Sequence, residues 1–274
     1  MSRYKIMFDR LTSASERALI SFFMLGYPDR KSCLAFVDAA IQSGADALEL
    51  GIPYSDPVAD GPTIVEAANI ARDNGATVAD CFVMMGEIRA KHPQIPLGLL
   101  VYANFVFAAG ADQFLISCQR AGVDSLLVAD LPLREAENLR MLAADLDVKI
   151  VLILPPNVTD EQALRIGKAS QGYVYLLSRF GVTGTETPLH TDVTRFLPAL
   201  SQAGAPPGIL GFGISSARQV RLAVDAGVAG VIVGSGLVKN IQQTHGETQS
   251  LREKVMSDYI ADLKRETVVN RADN

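Results

Sequence analysis

The sequence predicts an α/β fold in one domain over residues 1–274: a closed parallel (β/α)8, or TIM, barrel with extra helices at the N-terminus, after the second strand and at the C-terminus. Three observations support this. A junction motif recurs, as S-G-A-D-A-L-E-L-G from Ser43, A-G-V-D-S-L-L-V-A-D from Ala121 and A-G-V-A-G-V-I-V-G-S-G from Ala226, with Q-G-Y-V-Y-L-L-S-R from Gln171 as a looser copy. Each copy holds a glycine suited to end a helix in the left-handed region, then a short leucine-rich or β-branched run, then a polar or glycine-rich exit. Eight such runs alternate with helical patterns, and eight βα units imply a closed barrel. The composition agrees, with 49% hydrophobic and 20% charged residues and a mean hydropathy of +0.20, as expected for a sheet covered on both faces.

In chain order, a helix over Tyr4–Leu11 precedes a first strand at Leu19–Leu25. Leu34, Phe36, Val37, Ala40 and Ile41 follow helical spacing and lead to a second strand at Ala47–Gly51. An added helix over Thr77–His92 comes before the third strand, Leu97–Tyr102. The fourth, fifth and sixth strands are placed at Ser125–Ala129, Ile150–Leu154 and Tyr173–Leu177. Ile209–Gly211 and Gly230–Val233 complete the set, separated by a helix marked by Val220, Leu222, Ala223 and Ala226. A charged helix over Leu251–Thr267 ends the pattern, followed by a polar tail expected to fray. No Pro-, Gly- or Ser-rich linker divides the chain. An open doubly wound sheet would share the alternation, but its dinucleotide form requires G-x-G-x-x-G after the first strand, where this chain has L-G-Y-P-D from Leu25.

With 25 basic and 30 acidic residues the formal charge is -5, and no dense Lys/Arg cluster is available to follow a phosphate backbone. Nucleic acid is therefore a poor partner. The N-terminus, M-S-R-Y-K-I-M-F-D-R, lacks the apolar core and cleavage site of a signal peptide, and no apolar run is long enough to span a bilayer, so a cytoplasmic protein is expected. Cys33, Cys81 and Cys118 lie far apart in helical segments and read as reduced core thiols. His92, His190 and His245 are scattered, so no metal site is expected.

In such a barrel the active site lies at the carboxyl ends of the strands. Strand seven exits through G-F-G-I-S-S (Gly211–Ser216) and strand eight through G-S-G (Gly234–Gly236), each ahead of a helix. Glycines of this kind often serve only tight turns. Two such exits on the last two strands instead suit a phosphate, because freed backbone N–H groups and a helix N-terminus converge there. G-V-T-G (Gly181–Gly184) after strand six is a candidate cover.

Alternation in A-D-A-L-E-L puts Glu49 on the face of Ala47, opposite Leu48 and Leu50, and the leucines suit the helix side. Glu49 then points into the barrel. It is either a structural carboxylate held by donors or, with its pKa raised by desolvation, an acid/base group. Asp56 and Asp60 follow in the next loop, and each equally fits a turn or a helix N-cap; Asp60 stands just before G-P-T. The spacing does not separate their roles.

No lysine stands at a strand exit, which argues against a Schiff-base aldolase. The lack of a histidine or carboxylate cluster disfavours a metal-dependent one. Metal-free acid/base chemistry on an organic phosphate remains. Phe22, Leu100, Tyr102, Leu127, Ala129, Ile153, Tyr175, Phe212 and Ile232 would surround it, suiting a flat apolar group with a phosphate tail.

Read together, L-E-L-G-I-P-Y-S-D-P-V-A-D-G-P-T, L-L-V-Y-A-N, G-V-D-S-L-L-V-A-D-L-P, Y-V-Y-L-L-S-R, G-V-T-G and G-F-G-I-S resemble the tryptophan synthase alpha subunit family over essentially the whole chain. The resemblance implies a lyase that cleaves indole-3-glycerol phosphate to indole and D-glyceraldehyde 3-phosphate by a retro-aldol reaction. It implies Glu49 as general acid/base, Asp60 at the ring N–H and Tyr175 as an active-site tyrosine. Phe22, Leu100, Leu127, Thr183, Phe212 and Ile232 would lie around the substrate, with Gly184, Gly213, Gly234 and Ser235 at its phosphate. It also implies an α2β2 complex, with the loop of Asp56 facing a beta subunit that carries pyridoxal phosphate and receives the indole, and no cofactor in this subunit. Two residues depart from the pattern: Phe180 replaces an expected small residue in loop six (Arg179–Thr191), and Met24 an expected small hydroxyl.

Overall fold

The computed structural model describes residues 1–178 and 192–269. The strands are β1 (Ala18–Met24), β2 (Ala47–Gly51), β3 (Leu97–Val101), β4 (Ser125–Val128), β5 (Lys149–Leu154), β6 (Val174–Leu177), β7 (Gly208–Gly211) and β8 (Gly230–Val233). Each pairs in parallel with the next and β8 pairs with β1, so the sheet is a closed barrel rather than an open doubly wound sheet. All eight match the predicted strands to within one residue at either end.

The described helices are α1 (Arg3–Ser13), α2 (Arg30–Gln42), α3 (Pro62–Asp73), α4 (Val78–Lys91), α5 (Ala103–Ala108), α6 (Ala111–Arg120), α7 (Leu133–Ala144), α8 (Asp160–Ala169), α9 (Leu197–Gln202), α10 (Ala217–Asp225), α11 (Ser235–Gln243) and α12 (Gln249–Arg265). The expected extra helices are present as α1, α4 and α12. The short α5 was not anticipated, because six residues hold less than two turns of periodicity. Thr77 and Asp80 form a reciprocal capping box that starts α4. The junction glycines Gly44, Gly122 and Gly227 have φ of +111°, +75° and +88°, the left-handed exits that the repeated motif required. Among the described residues no helix is long and apolar enough to cross a membrane.

Register sets what faces the barrel axis. Phe22 pairs with Glu49 and Glu49 with Gly98, while Leu100 pairs with Leu127 and Ile153 with Tyr175. Helix α1 closes the floor: buried Tyr4 shares a 2.8 Å hydrogen bond with Ser125 Oγ and tilts against Tyr173, with ring centroids 5.5 Å apart. Gly98 makes room for it, since a Cβ there would lie 3.1 Å from both Tyr4 Oη and Ser125 Oγ. Two carboxylates tie outer elements to this end. Asp124 accepts from Arg3, Arg89 and the Leu97 amide, and Asp46 from Arg10, Lys264 and the Leu19 amide. Their lone pairs are satisfied by structural donors, which leaves the opposite end for chemistry.

Candidate active site

Glu49, the third of the five residues of β2, is 3% exposed and lies inside the barrel as its alternation predicts. Its described hydrogen-bond partner is the Tyr173 hydroxyl, which donates to Glu49 Oε1 at 3.4 Å. Burial pushes the carboxyl up to about 8; the Tyr173 hydrogen bond opposes the rise and the charge of Asp60 adds to it. A group in this state holds its proton at neutral pH and releases it with little further cost, the condition for general acid/base work.

The two loop aspartates separate in space. Asp56 is exposed and accepts from the Ser55 hydroxyl. Asp60 enters the cavity of Glu49, where the Tyr102 hydroxyl donates to its Oδ2 at 2.9 Å. The Ala59 amide in turn donates to Tyr102 Oη at 3.1 Å, locking the loop to β3's exit. Burial raises the Asp60 pKa and the Tyr102 hydrogen bond limits the rise. The capping alternative for Asp60 is not what forms: Gly61 holds the N-cap position of α3, with Pro62 at its first turn.

Phe22, Leu100, Phe212 and Ile232 line the cavity together with Ile64 and Ile214. Tyr175 is buried in its wall, its ring edge-on to Phe212 with centroids 6.0 Å apart. Phe212 itself has φ +62°, a costly conformation for a bulky residue, and the Ser178 hydroxyl holds its carbonyl at 2.7 Å. A second space of about 350 Å³, whose lining includes Tyr102, Ala129 and Ile153, adjoins the first across Asp60, Leu100, Tyr175 and Phe212. Leu127 lies outside both linings, packed in the barrel interior beside Leu100.

Gly213, Gly234 and Ser235 close the cavity on the side of β7 and β8. Gly234 is the N-cap of α11 and Ser235 its first residue, so the start of a helix, whose first amides have no partner within the helix, borders the cavity. Thr183 and Gly184, with Phe180 and loop six, lie outside the described residues. Met24 is buried, and its Cε lies 3.5 Å from where a Cβ on Gly51 would sit; the missing side chain accommodates the larger residue. Cys33, Cys81 and Cys118 are buried in α2, α4 and α6 with thiols pushed up to about 12 by burial, which makes them inert. Among the described residues no three His, Cys, Asp or Glu side chains group to hold a metal ion.

The model of the family described as "Tryptophan synthase alpha chain" matches residues 8–267. The chain belongs to this family. It is 44% identical to the tryptophan synthase alpha chain of Photobacterium profundum over 264 residues, covering 96% of this chain and 98% of that one. With the alpha chain of Escherichia coli (strain SMS-3-5) the identity is 47% over 251 residues, 92% of this chain and 94% of the other. Among solved structures, a chain of Mycobacterium tuberculosis tryptophan synthase superposes with a TM-score of 0.87 at 28% identity, covering 98% of this chain and 99% of its own. A chain from the tryptophan synthase a2b2 complex of Pyrococcus furiosus gives 0.81 at 33% identity over 91% and 98%.

The groups that support the two carboxylates carry little sequence signature. Y-V-Y alternation sets Tyr173 on the inward face of Tyr175, but its pairing with Glu49, 124 residues away, is a product of barrel closure. Tyr102 reads from the sequence as a wall residue, and no local signal marks it as the donor to Asp60, which is 42 residues away in sequence.

Proposed function

We propose that the chain catalyses the alpha reaction, the retro-aldol cleavage of indole-3-glycerol phosphate to indole and D-glyceraldehyde 3-phosphate, with Glu49, Asp60 and Tyr175 as its active-site residues. The observation that carries this reading is the common cavity of Glu49 and Asp60, bordered by the glycine exits of β7 and β8. Its membership of the family accords with a carbon–carbon lyase.

Glu49 enters the cycle protonated and delivers its proton to indole C3. The ring nitrogen becomes cationic, and the Asp60 carboxylate stabilises it through the ring N–H. Glu49, now ionised, takes the proton of the glycerol hydroxyl next to the scissile bond. The C–C bond breaks, its electrons return to the ring, and indole and the aldehyde separate with Glu49 protonated again. Protons balance within the cycle, so the chemistry calls for no cofactor in this subunit.

Phe22, Leu100, Phe212 and Ile232, which line the cavity, would enclose the ring with Leu127 packed beside Leu100, and Gly213, Gly234 and Ser235, with Gly184, would hold the phosphate; Thr183 is a further substrate-binding residue. The partner is a beta subunit carrying pyridoxal phosphate, in an α2β2 complex that receives the indole. The a2b2 complex named for the Pyrococcus furiosus relative supports this assembly, and exposed Asp56 suits a partner-facing loop. Glu49→Gln keeps the shape and removes the titratable proton. Indole release from indole-3-glycerol phosphate, measured with and without beta subunit, is expected to fall to background in the variant; retention of the parent rate would refute the mechanism.

A further inference from the structure

We propose that Tyr259 of the C-terminal helix α12 is a positioning residue for phosphate, setting the distance between the exit loops of β7 and β8. The proposal rests on the reading that a phosphate-bearing substrate sits at those loops. Tyr259 does not line the cavity, and it acts through backbone. Its hydroxyl donates to the Ser215 carbonyl at 2.9 Å. On the other side of that residue, the Ser215 amide donates at 2.9 Å to Oε1 of Gln219 in α10. Ser215 is thus clamped by two helices, directly after Gly213 and Ile214 in the cavity wall.

The same hydroxyl touches the second loop. A Cβ on Gly236 would lie 2.4 Å from Tyr259 Oη and 3.0 Å from Ser215 Cα, so the β8 exit packs against both. Gly236 directly follows Gly234 and Ser235, which border the cavity. One hydroxyl from a helix outside both loops therefore wedges between them, at the residue where they meet. Backbone N–H groups bind an anion well only when their separation suits it, because hydrogen bonds weaken steeply with distance and misalignment. Preset spacing also spares the ligand the cost of ordering the loops.

Tyr259→Phe keeps the ring and deletes the wedge. In the full-length chain, inorganic phosphate and indole serve as separate calorimetric probes, alongside KM and kcat for indole-3-glycerol phosphate. Phosphate affinity is expected to weaken and KM to rise about threefold to tenfold, the scale of one neutral hydrogen bond, while kcat and indole affinity hold to within about twofold, as for loss of uniform binding. Unchanged phosphate affinity and KM would overturn the proposal, as would parallel losses in kcat, indole affinity and Tm, which mark a merely structural role. If the parent chain itself fails to bind phosphate, the reading of the loops falls and the role of Tyr259 with it. Phosphate binding equal in parent and variant removes Tyr259 alone. Gly236→Ala supplies a second arm by pushing on the same hydroxyl from the other loop. Its effect on phosphate affinity is expected to be smaller on a Tyr259→Phe background than alone, and strict additivity would count against the shared contact.

Discussion

Tyr173 donates its hydroxyl hydrogen bond to Glu49 Oε1 across the barrel from β2, at 3.4 Å. A buried carboxyl of raised pKa with one long, neutral donor favours its protonated form, yet keeps a partner for the ionised one.

A bell-shaped pH profile is expected. C3 protonation needs Glu49 in its acid form, and burial sets that carboxyl at about 8, so kcat/KM falls as pH rises through about 8. Stabilising the ring cation needs Asp60 ionised, and burial raises its pKa above the ordinary 3.8, so the acid limb lies above that value. Initial rates of indole release across both limbs test this; a rate that keeps climbing well beyond pH 8 contradicts the roles assigned.

Stability carries its own pH signature. The folded-state pKa of Glu49 lies above the ordinary 4.5, so between about 4.5 and about 8 the folded chain holds a proton that the unfolded chain has released. Its contribution is intact below that window and is lost as pH rises through it. Glu49→Gln abolishes the titration, and the variant is expected to gain on the parent across the window by an amount on the order of a few kcal/mol. Urea unfolding at several pH values measures the difference, and a pH-independent gap would show that Glu49 does not titrate as described.

Tyr173→Phe separates positioning from packing. The Tyr173 hydrogen bond lowers the Glu49 pKa, so its removal should move the alkaline limb upward, by less than about one unit given the modest worth of a neutral bond. A limb that moves downward, in the same rate assay, would mean that another donor takes over.

Gly51→Ala tests the packing beneath the ring. The new Cβ would sit 2.9 Å from Phe22 Cζ and 3.5 Å from Met24 Cε, driving Phe22 toward the cavity it lines. Overpacking of this kind costs about 1–3 kcal/mol, and KM is expected to rise with it. Thermal melts and steady-state kinetics read the two effects, and a variant with unaltered KM would place Phe22 outside the ring pocket.

Ser21→Ala should stabilise the fold. Ser21 Oγ is fully buried and has no hydrogen-bond partner among the described residues. Removing it avoids a desolvation cost of about 1–3 kcal/mol, and a Tm increase of about 2–4 °C per kcal/mol recovered is expected for a chain of this size. A lower Tm would reveal that the hydroxyl is satisfied.

The barrel was legible because each strand is a local object. The repeated Gly-led junctions, with left-handed Gly44, Gly122 and Gly227, mark where helices end, and short apolar runs mark the strands to within one residue. Glu49 was legible for the same reason, since side-chain direction in a strand depends only on parity. The six-residue α5 was not, being too short to show a period.

By itself the sequence determined the fold, the inward direction of Glu49, the glycine exits of β7 and β8 and, through resemblance, the family. Local chemistry left Asp56 and Asp60 equivalent and the resemblance told them apart only by position; the tertiary structure supplies the physical difference. Both sit in one polar loop with the same local chemistry, and the distinction comes from Tyr102, 42 residues beyond Asp60, which donates to it at 2.9 Å and draws it into the cavity. The same holds for Tyr173 at Glu49 and for Tyr259 at Ser215, 44 residues apart. Alternation and turn chemistry act over a few residues and can be read along the chain; pKa values and loop spacing depend on which side chains the closed barrel brings within hydrogen-bond reach.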